Sequence, residues 1–119
     1  MSYDKNNIFA KIIRGEIPSS KVYEDDKILA FNDISKSAPV HVLVIPKGEY
    51  TSFADFISKA QDQEVIDFFR KVGEIAKSLG VEDGYRLVSN SGVDAGQSVP
   101  HFHVHILGGN KLSTHLNQK

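Results

Sequence analysis

The chain has 119 residues, a formal net charge of −1 from 14 Lys+Arg against 15 Asp+Glu, and 40% hydrophobic residues. That length suits one domain, residues 1–119, and the near-zero charge lacks the broad positive field of a nucleic-acid binder. There is no cysteine, which excludes disulfides, thiolate nucleophiles and thiolate zinc sites.

Residues 1–9 are polar and carry no signal-peptide core, and no stretch approaches the roughly 20 apolar residues of a membrane span. The expected setting is the cytoplasm, with neither membrane nor nucleic acid as partner; a nucleus or an organelle lumen fits the same features. Ile8, Phe9, Ile12 and Ile13 have helical spacing, so a short helix is predicted over residues 8–14. Asn7 is its N-cap and Gly15 its stop. Ile17-Pro18-Ser19-Ser20 reads as a loop. Residues 21–24 and 27–32 form a hairpin about Glu24-Asp25-Asp26. The β-branched run 40–45, ended by Pro46, reads as a buried strand.

Residues 53–80 read as mostly helical. Val65, Phe68, Phe69, Val72, Ile75, Ala76 and Leu79 make one apolar stripe at steps of three and four. Ser58 with Gln61 forms a capping box, and Gly80 a C-terminal stop. Residues 85–90 read as a strand, 91–100 as a loop with Gly92 and Gly96, and 101–107 as the last strand. The tail 110–119 is polar. Five strands, one long helix and one short helix, without regular βαβ alternation, predict an α+β fold with a mainly antiparallel sheet.

Three of the five histidines lie in that last strand, His101-Phe102-His103-Val104-His105. Alternation puts the imidazoles on one face, spaced roughly 6.5–7 Å, and Phe102, Val104 and Ile106 on the other. The apolar face sets the register. Three uses are open. The histidines can be structural, bonded within the fold. They can bind zinc, although same-face positions are far apart for three ligands and no acidic residue stands beside the row, so metal is not favoured. They can serve anion chemistry, since imidazole is both nucleophile and proton carrier near neutral pH. The preceding loop suits an anion: Gly92 and Gly96 let backbone approach, and Gln97 and Ser98 add donors. His41 alone reads as a core histidine bonded to a backbone carbonyl, or as a fourth imidazole brought to the cluster by an adjacent strand. His115, in the tail, has no assigned role.

His-Phe-His-Val-His-Ile-Leu-Gly-Gly resembles the signature of the histidine triad (HIT) superfamily. Ile8-Phe9-Ala10-Lys11-Ile12-Ile13, Ala30-Phe31-Asn32-Asp33-Ile34, Ala38-Pro39-Val40-His41 and Gly96-Gln97-Ser98 match in order, so the resemblance spans nearly the whole chain. Gly-Gln-Ser with Gly-Gly is similar to the Hint branch rather than to Fhit, the dinucleoside polyphosphate hydrolases. The resemblance implies a HIT-like fold and a homodimer joined into one continuous sheet. It implies hydrolysis of purine nucleoside phosphoramidates and related AMP or GMP adducts, with no cofactor required. By the resemblance His103 is the nucleophile, and the backbone carbonyl of His101 orients its ring. His105 and His41 surround the phosphate. Ser98 and Gln97 meet the phosphate and leaving group, Asp33 the ribose hydroxyls, and Asn90 and Gly96 further parts of the nucleotide. Ile8, Phe9, Ile12, Phe31 and Ile34 form the base slot. The alternatives are a Fhit-like hydrolase or a non-catalytic nucleotide- or zinc-binding regulator. Asn32 stands where many relatives have His, and the tail lacks the Trp-Pro-Pro-Gly ending of animal relatives.

Overall fold

A computed structural model describes residues 2–113; His115 and the end of the polar tail lie outside the described residues. Helix α1 (Ile8–Ile13) is followed by strands β1 (Lys21–Glu24), β2 (Ile28–Asn32) and β3 (Val40–Pro46). Helices α2 (Phe53–Lys59) and α3 (Asp62–Ser78) precede β4 (Tyr85–Val88), a single 3-10 turn (Val93–Ala95) and β5 (Val104–Gly108). The five strands form one sheet in the order β1-β2-β3-β5-β4, and every neighbouring pair is antiparallel. The expected α+β architecture is therefore the one observed.

The helical segment divides in two. Ser52, not Ser58, caps α2, its hydroxyl accepting from the Asp55 amide at 3.2 Å. Ala60 and Gln61 have extended backbone, and α3 starts beyond them with Asp62 and Glu64 in its first turn, where carboxylates suit the helix dipole. Ser58 lies inside α2. The Asn7 cap occurs as expected, its Oδ1 accepting from the Ala10 amide at 2.9 Å.

Strand alternation sorts the core into two layers. Val42 and Val44 of β3, with Phe102, Val104 and Ile106, pack beneath α2 and α3 against Phe56, Phe68, Val72, Ile75 and Ala76. Leu43 and Ile45 face the other way, with Leu29 and Phe31 of β2, and are covered by Phe9 and Ile12 of α1. His41 shares this second face. So does His105, whose Cα lies opposite that of Leu43. The imidazoles thus collect beneath α1, on the side of the sheet away from the long helix.

The last strand is shorter than expected. Regular pairing starts at Val104, opposite Val44, so His101 and His103 precede β5. Upstream the backbone bonds leave the ladder: the Phe102 amide donates to the Tyr50 carbonyl at 2.8 Å, and the His101 amide to Val99 at 2.8 Å. The Ser89 hydroxyl donates to the His103 carbonyl at 2.8 Å. Alternation nonetheless persists, with Phe102 in the helix-side core.

Candidate active site

His103 is buried beneath Phe9, whose ring meets the imidazole edge-on at 4.9 Å. Its Nδ1 lies 2.6 Å from the His101 carbonyl oxygen. A carbonyl only accepts, so Nδ1 carries the proton and Nε2 of the neutral ring holds a lone pair. Nε2 has no hydrogen-bond partner among the described residues. Burial lowers the affinity of this ring for a second proton. The result is a neutral imidazole with an unprotonated, unpartnered nitrogen, the state a nucleophile needs.

His105 stands beside it, the two rings 5.2 Å apart. Its Nδ1 lies 2.8 Å from His41 Nε2, while His41 Nδ1 accepts from the Ser37 amide at 3.0 Å. An amide only donates, so the His41 proton is on Nε2 and points to His105 Nδ1. The proton of a neutral His105 is then on Nε2. Burial, then the nearby His103 and His41, push His105 down to about 4, and burial does the same to His101. Both rings are neutral at pH 7.

His41 is thus held by a backbone N–H and a second imidazole rather than by a backbone carbonyl. Asp33 joins it: Oδ2 is 3.4 Å from His41 Nε2, and Oδ1 accepts from the Ser35 amide at 2.7 Å. An acidic residue therefore does stand beside the histidines, against the expectation from the sequence. It comes from the end of β2, whose pairing with β3 brings positions 33 and 41 together; the Asp33 amide donates to the His41 carbonyl at 2.9 Å.

A cavity of about 380 Å³ opens over these groups. Ile8, Phe9, Ile12, Phe31, Asp33, Ile34, Asn90, Gln97, Ser98, His103 and His105 all line it. Ile34 is wholly exposed. His41 stands behind His105, and His101 behind His103; neither lines the cavity. Gly96 does not line it either. Gly92 and Gly96 shape the loop, at φ +90° and +74°, values that L side chains rarely adopt.

The Gln97 side chain is engaged within the protein. Its Oε1 accepts from the Gly92 amide at 2.8 Å, and its Nε2 donates to the carbonyls of Thr51 at 2.6 Å and Val99 at 2.9 Å. The amide braces the loop, and the exposed Ser98 hydroxyl is left as its side-chain donor toward the cavity. Ile17, Pro18, Ser19, Ser20, Leu43 and Val99 also line the space and were not foreseen. Leu43 was discoverable, two residues from His41 on the same strand face. The Ile17–Ser20 loop carried no such signal.

The family model for the HIT domain matches residues 14–112. The chain belongs to the HIT family. It is 52% identical over 112 residues to an uncharacterised HIT-like protein of Azospirillum brasilense, covering 93% of this chain and 92% of that one. It is 46% identical over 113 residues to a 14 kDa zinc-binding protein of Zea mays, covering 92% and 87%. Among solved structures, a HIT family hydrolase from Legionella pneumophila superposes with a TM-score of 0.85 at 39% identity, covering 92% of this chain and 97% of that one. The helix α1 and the segment before it lie outside the span matched by the family model, although α1 roofs the cavity.

Proposed function

We propose that this HIT protein is a Hint-branch nucleotidyl hydrolase, cleaving purine nucleoside phosphoramidates and related nucleoside monophosphate adducts such as aminoacyl adenylates. The hydrolase class has family-level support from the structural relatives named as HIT family hydrolases. The observation that carries the finer reading is the bond from His103 Nδ1 to the His101 carbonyl, which leaves Nε2 as a free nucleophile at the cavity.

In the proposed reaction Nε2 attacks phosphorus in line and the P–N bond breaks. The departing amine takes a proton, for which the Ser98 hydroxyl and the His105 Nε2–H are the candidate sources. Water then attacks the same phosphorus and gives up a proton to the group that protonated the amine, the Nε2–P bond breaks, and the nucleoside monophosphate leaves. The His105 N–H serves the phosphoryl oxygens, where charge accumulates. Asp33 holds the ribose hydroxyls, and Ile8, Phe9, Ile12, Phe31 and Ile34 enclose the base. Release of AMP from a fluorogenic adenosine phosphoramidate tests this. His103→Ala should lower the rate by at least ~10³-fold; equal rates would refute the covalent role. Faster turnover of diadenosine polyphosphate than of phosphoramidate would move the chain to the Fhit-like reading.

A zinc-binding role is the second reading. Asp33, His41 and His105 each offer a ligand atom within 4.8 Å of the others, and the maize relative is named for zinc binding. The hydrogen bonds oppose it. Ser37 N–H occupies the lone pair of His41, and His41 Nε2–H occupies that of His105 Nδ1. Ligation by His41 Nε2 would move its proton to Nδ1, against the Ser37 amide. The residues do not fit a metal in this arrangement.

We also propose a homodimer. Strand β4 is a sheet edge, and Tyr85 and Leu87 on it are 40% and 47% exposed. Phe53 and Ile57 of α2 and Ile66 and Phe69 of α3 add exposed apolar surface. An open edge beside apolar side chains is a surface that partners cover. Pairing two β4 strands would give one continuous sheet.

A further inference from the structure

The His101 ring is fully buried, does not line the cavity and enters the proposed reaction only through its backbone carbonyl. Yet both ring nitrogens are bonded. Nε2 lies 2.7 Å from the Pro46 carbonyl and therefore carries the proton. Nδ1 then holds a lone pair, and the Tyr3 hydroxyl donates to it at 2.6 Å. The Tyr3 ring also meets the imidazole edge-on at 5.6 Å.

The segment bearing Tyr3 is itself tied down. The Asp4 carbonyl accepts from the Asn7 amide at 3.2 Å and from Asn7 Nδ2 at 2.7 Å. Arg14 donates to the Lys5 carbonyl at 2.9 Å, and Lys5 lies 3.6 Å from Glu49, past the end of β3. The segment itself, Tyr3 to Asn7, precedes residue 14, where the family model begins to match.

We propose that Tyr3 is a positioning residue for the nucleophile: its hydroxyl, acting through His101, holds the carbonyl that keeps the proton of His103 on Nδ1. The inference rests on the hydrolase reading of His103. A ring bonded at both nitrogens cannot turn without leaving buried polar atoms unpaired, which is costly. With the ring held, and the His101 amide bonded to Val99, the residue 101 carbonyl has one direction. Removing the hydroxyl leaves His101 Nδ1 buried without a donor and the ring held at one end only. The carbonyl then loosens, and part of the His103 population shifts its proton to Nε2, where no lone pair remains for attack.

The test is Tyr3→Phe, which keeps the ring and deletes the donor. Turnover of the adenosine phosphoramidate should fall about tenfold in kcat. KM should stay within about twofold, because Tyr3 does not line the cavity. In 15N NMR, His103 Nε2 should move from the unprotonated toward the protonated range. A variant that loses thermal stability but keeps wild-type kcat and His103 tautomer overturns the proposal. If Tyr3→Phe does not fold, the wild-type spectrum decides: a proton on His101 Nδ1 or on His103 Nε2 overturns it, and the opposite pattern supports it. The NMR arm needs no turnover. An inactive wild type would thus defeat the hydrolase reading while the shift of the His103 proton still decides the role of Tyr3.

Discussion

His41 Nε2 lies 2.8 Å from His105 Nδ1. Because the Ser37 amide donates to the far side of His41, the proton between the two rings belongs to His41. The pair therefore ends on the Nε2–H of a neutral His105 and, with these protons in place, has no spare lone pair for a cation.

Metal should accordingly be dispensable. Purified protein should hold well under one equivalent of zinc by elemental analysis, and a strong chelator should leave phosphoramidate turnover unchanged. Stoichiometric zinc lost together with activity would reverse this and favour the regulator reading. His41→Ala should impair turnover about tenfold or more, since the orientation of His105 depends on it.

Acid should weaken the fold in a definite window. Burial holds His101 at about 4, and burial with the neighbouring imidazoles holds His105 at about 4, below the ordinary 6.5. Between those values the unfolded chain takes up protons that the folded chain refuses, so stability falls as pH drops from about 6.5 toward 4 and is restored as pH rises. Urea midpoints at pH 7 and pH 5 check this. A midpoint independent of pH over that range would show that these rings are protonated in the fold.

Asp33 should govern nucleotide affinity. Its Oδ1 is shared with the Ser35 amide and its Oδ2 faces His41, so the carboxylate is held in one orientation. Asp33→Ala should weaken AMP binding about 10–100-fold, as loss of charged hydrogen bonds does. A dideoxyribose analogue of AMP supplies the control. Wild type and variant should bind that analogue alike; an equal loss on it would mean that Asp33 acts on the fold instead.

Much of this site was legible in the sequence because it depends on local alternation. His101, His103 and His105 share a face from their spacing alone, and Phe102, Val104 and Ile106 form the core side as that spacing requires. The meeting of Asp33 with His41 was not legible, since it follows from the β2–β3 pairing rather than from any local pattern. The break at Ala60 was hidden for a different reason: an apolar stripe reports which face is buried, not where the backbone leaves the helix. Ser52 and Ser58 both suit an N-cap by residue type, and the structure uses Ser52. Tyr3 carried no signal, being one polar aromatic residue far from the triad in the chain.

The exposed edge should be sensitive to charge. Leu87→Asp places a carboxylate on the open face of β4 and should convert a dimer to monomer in sedimentation at micromolar concentration. A wild-type protein that is already monomeric there would refute the dimer.

β3 serves both layers at once. His41, Leu43 and Ile45 look toward the cavity side, and Val42 and Val44 toward the helices. Exchanges among its apolar side chains cost packing but leave each side chain on its own face. The loss or gain of one residue would swap the two faces, sending His41 into the hydrocarbon layer and a valine toward His105. Natural variation in this strand should therefore exchange one apolar side chain for another while conserving chain length.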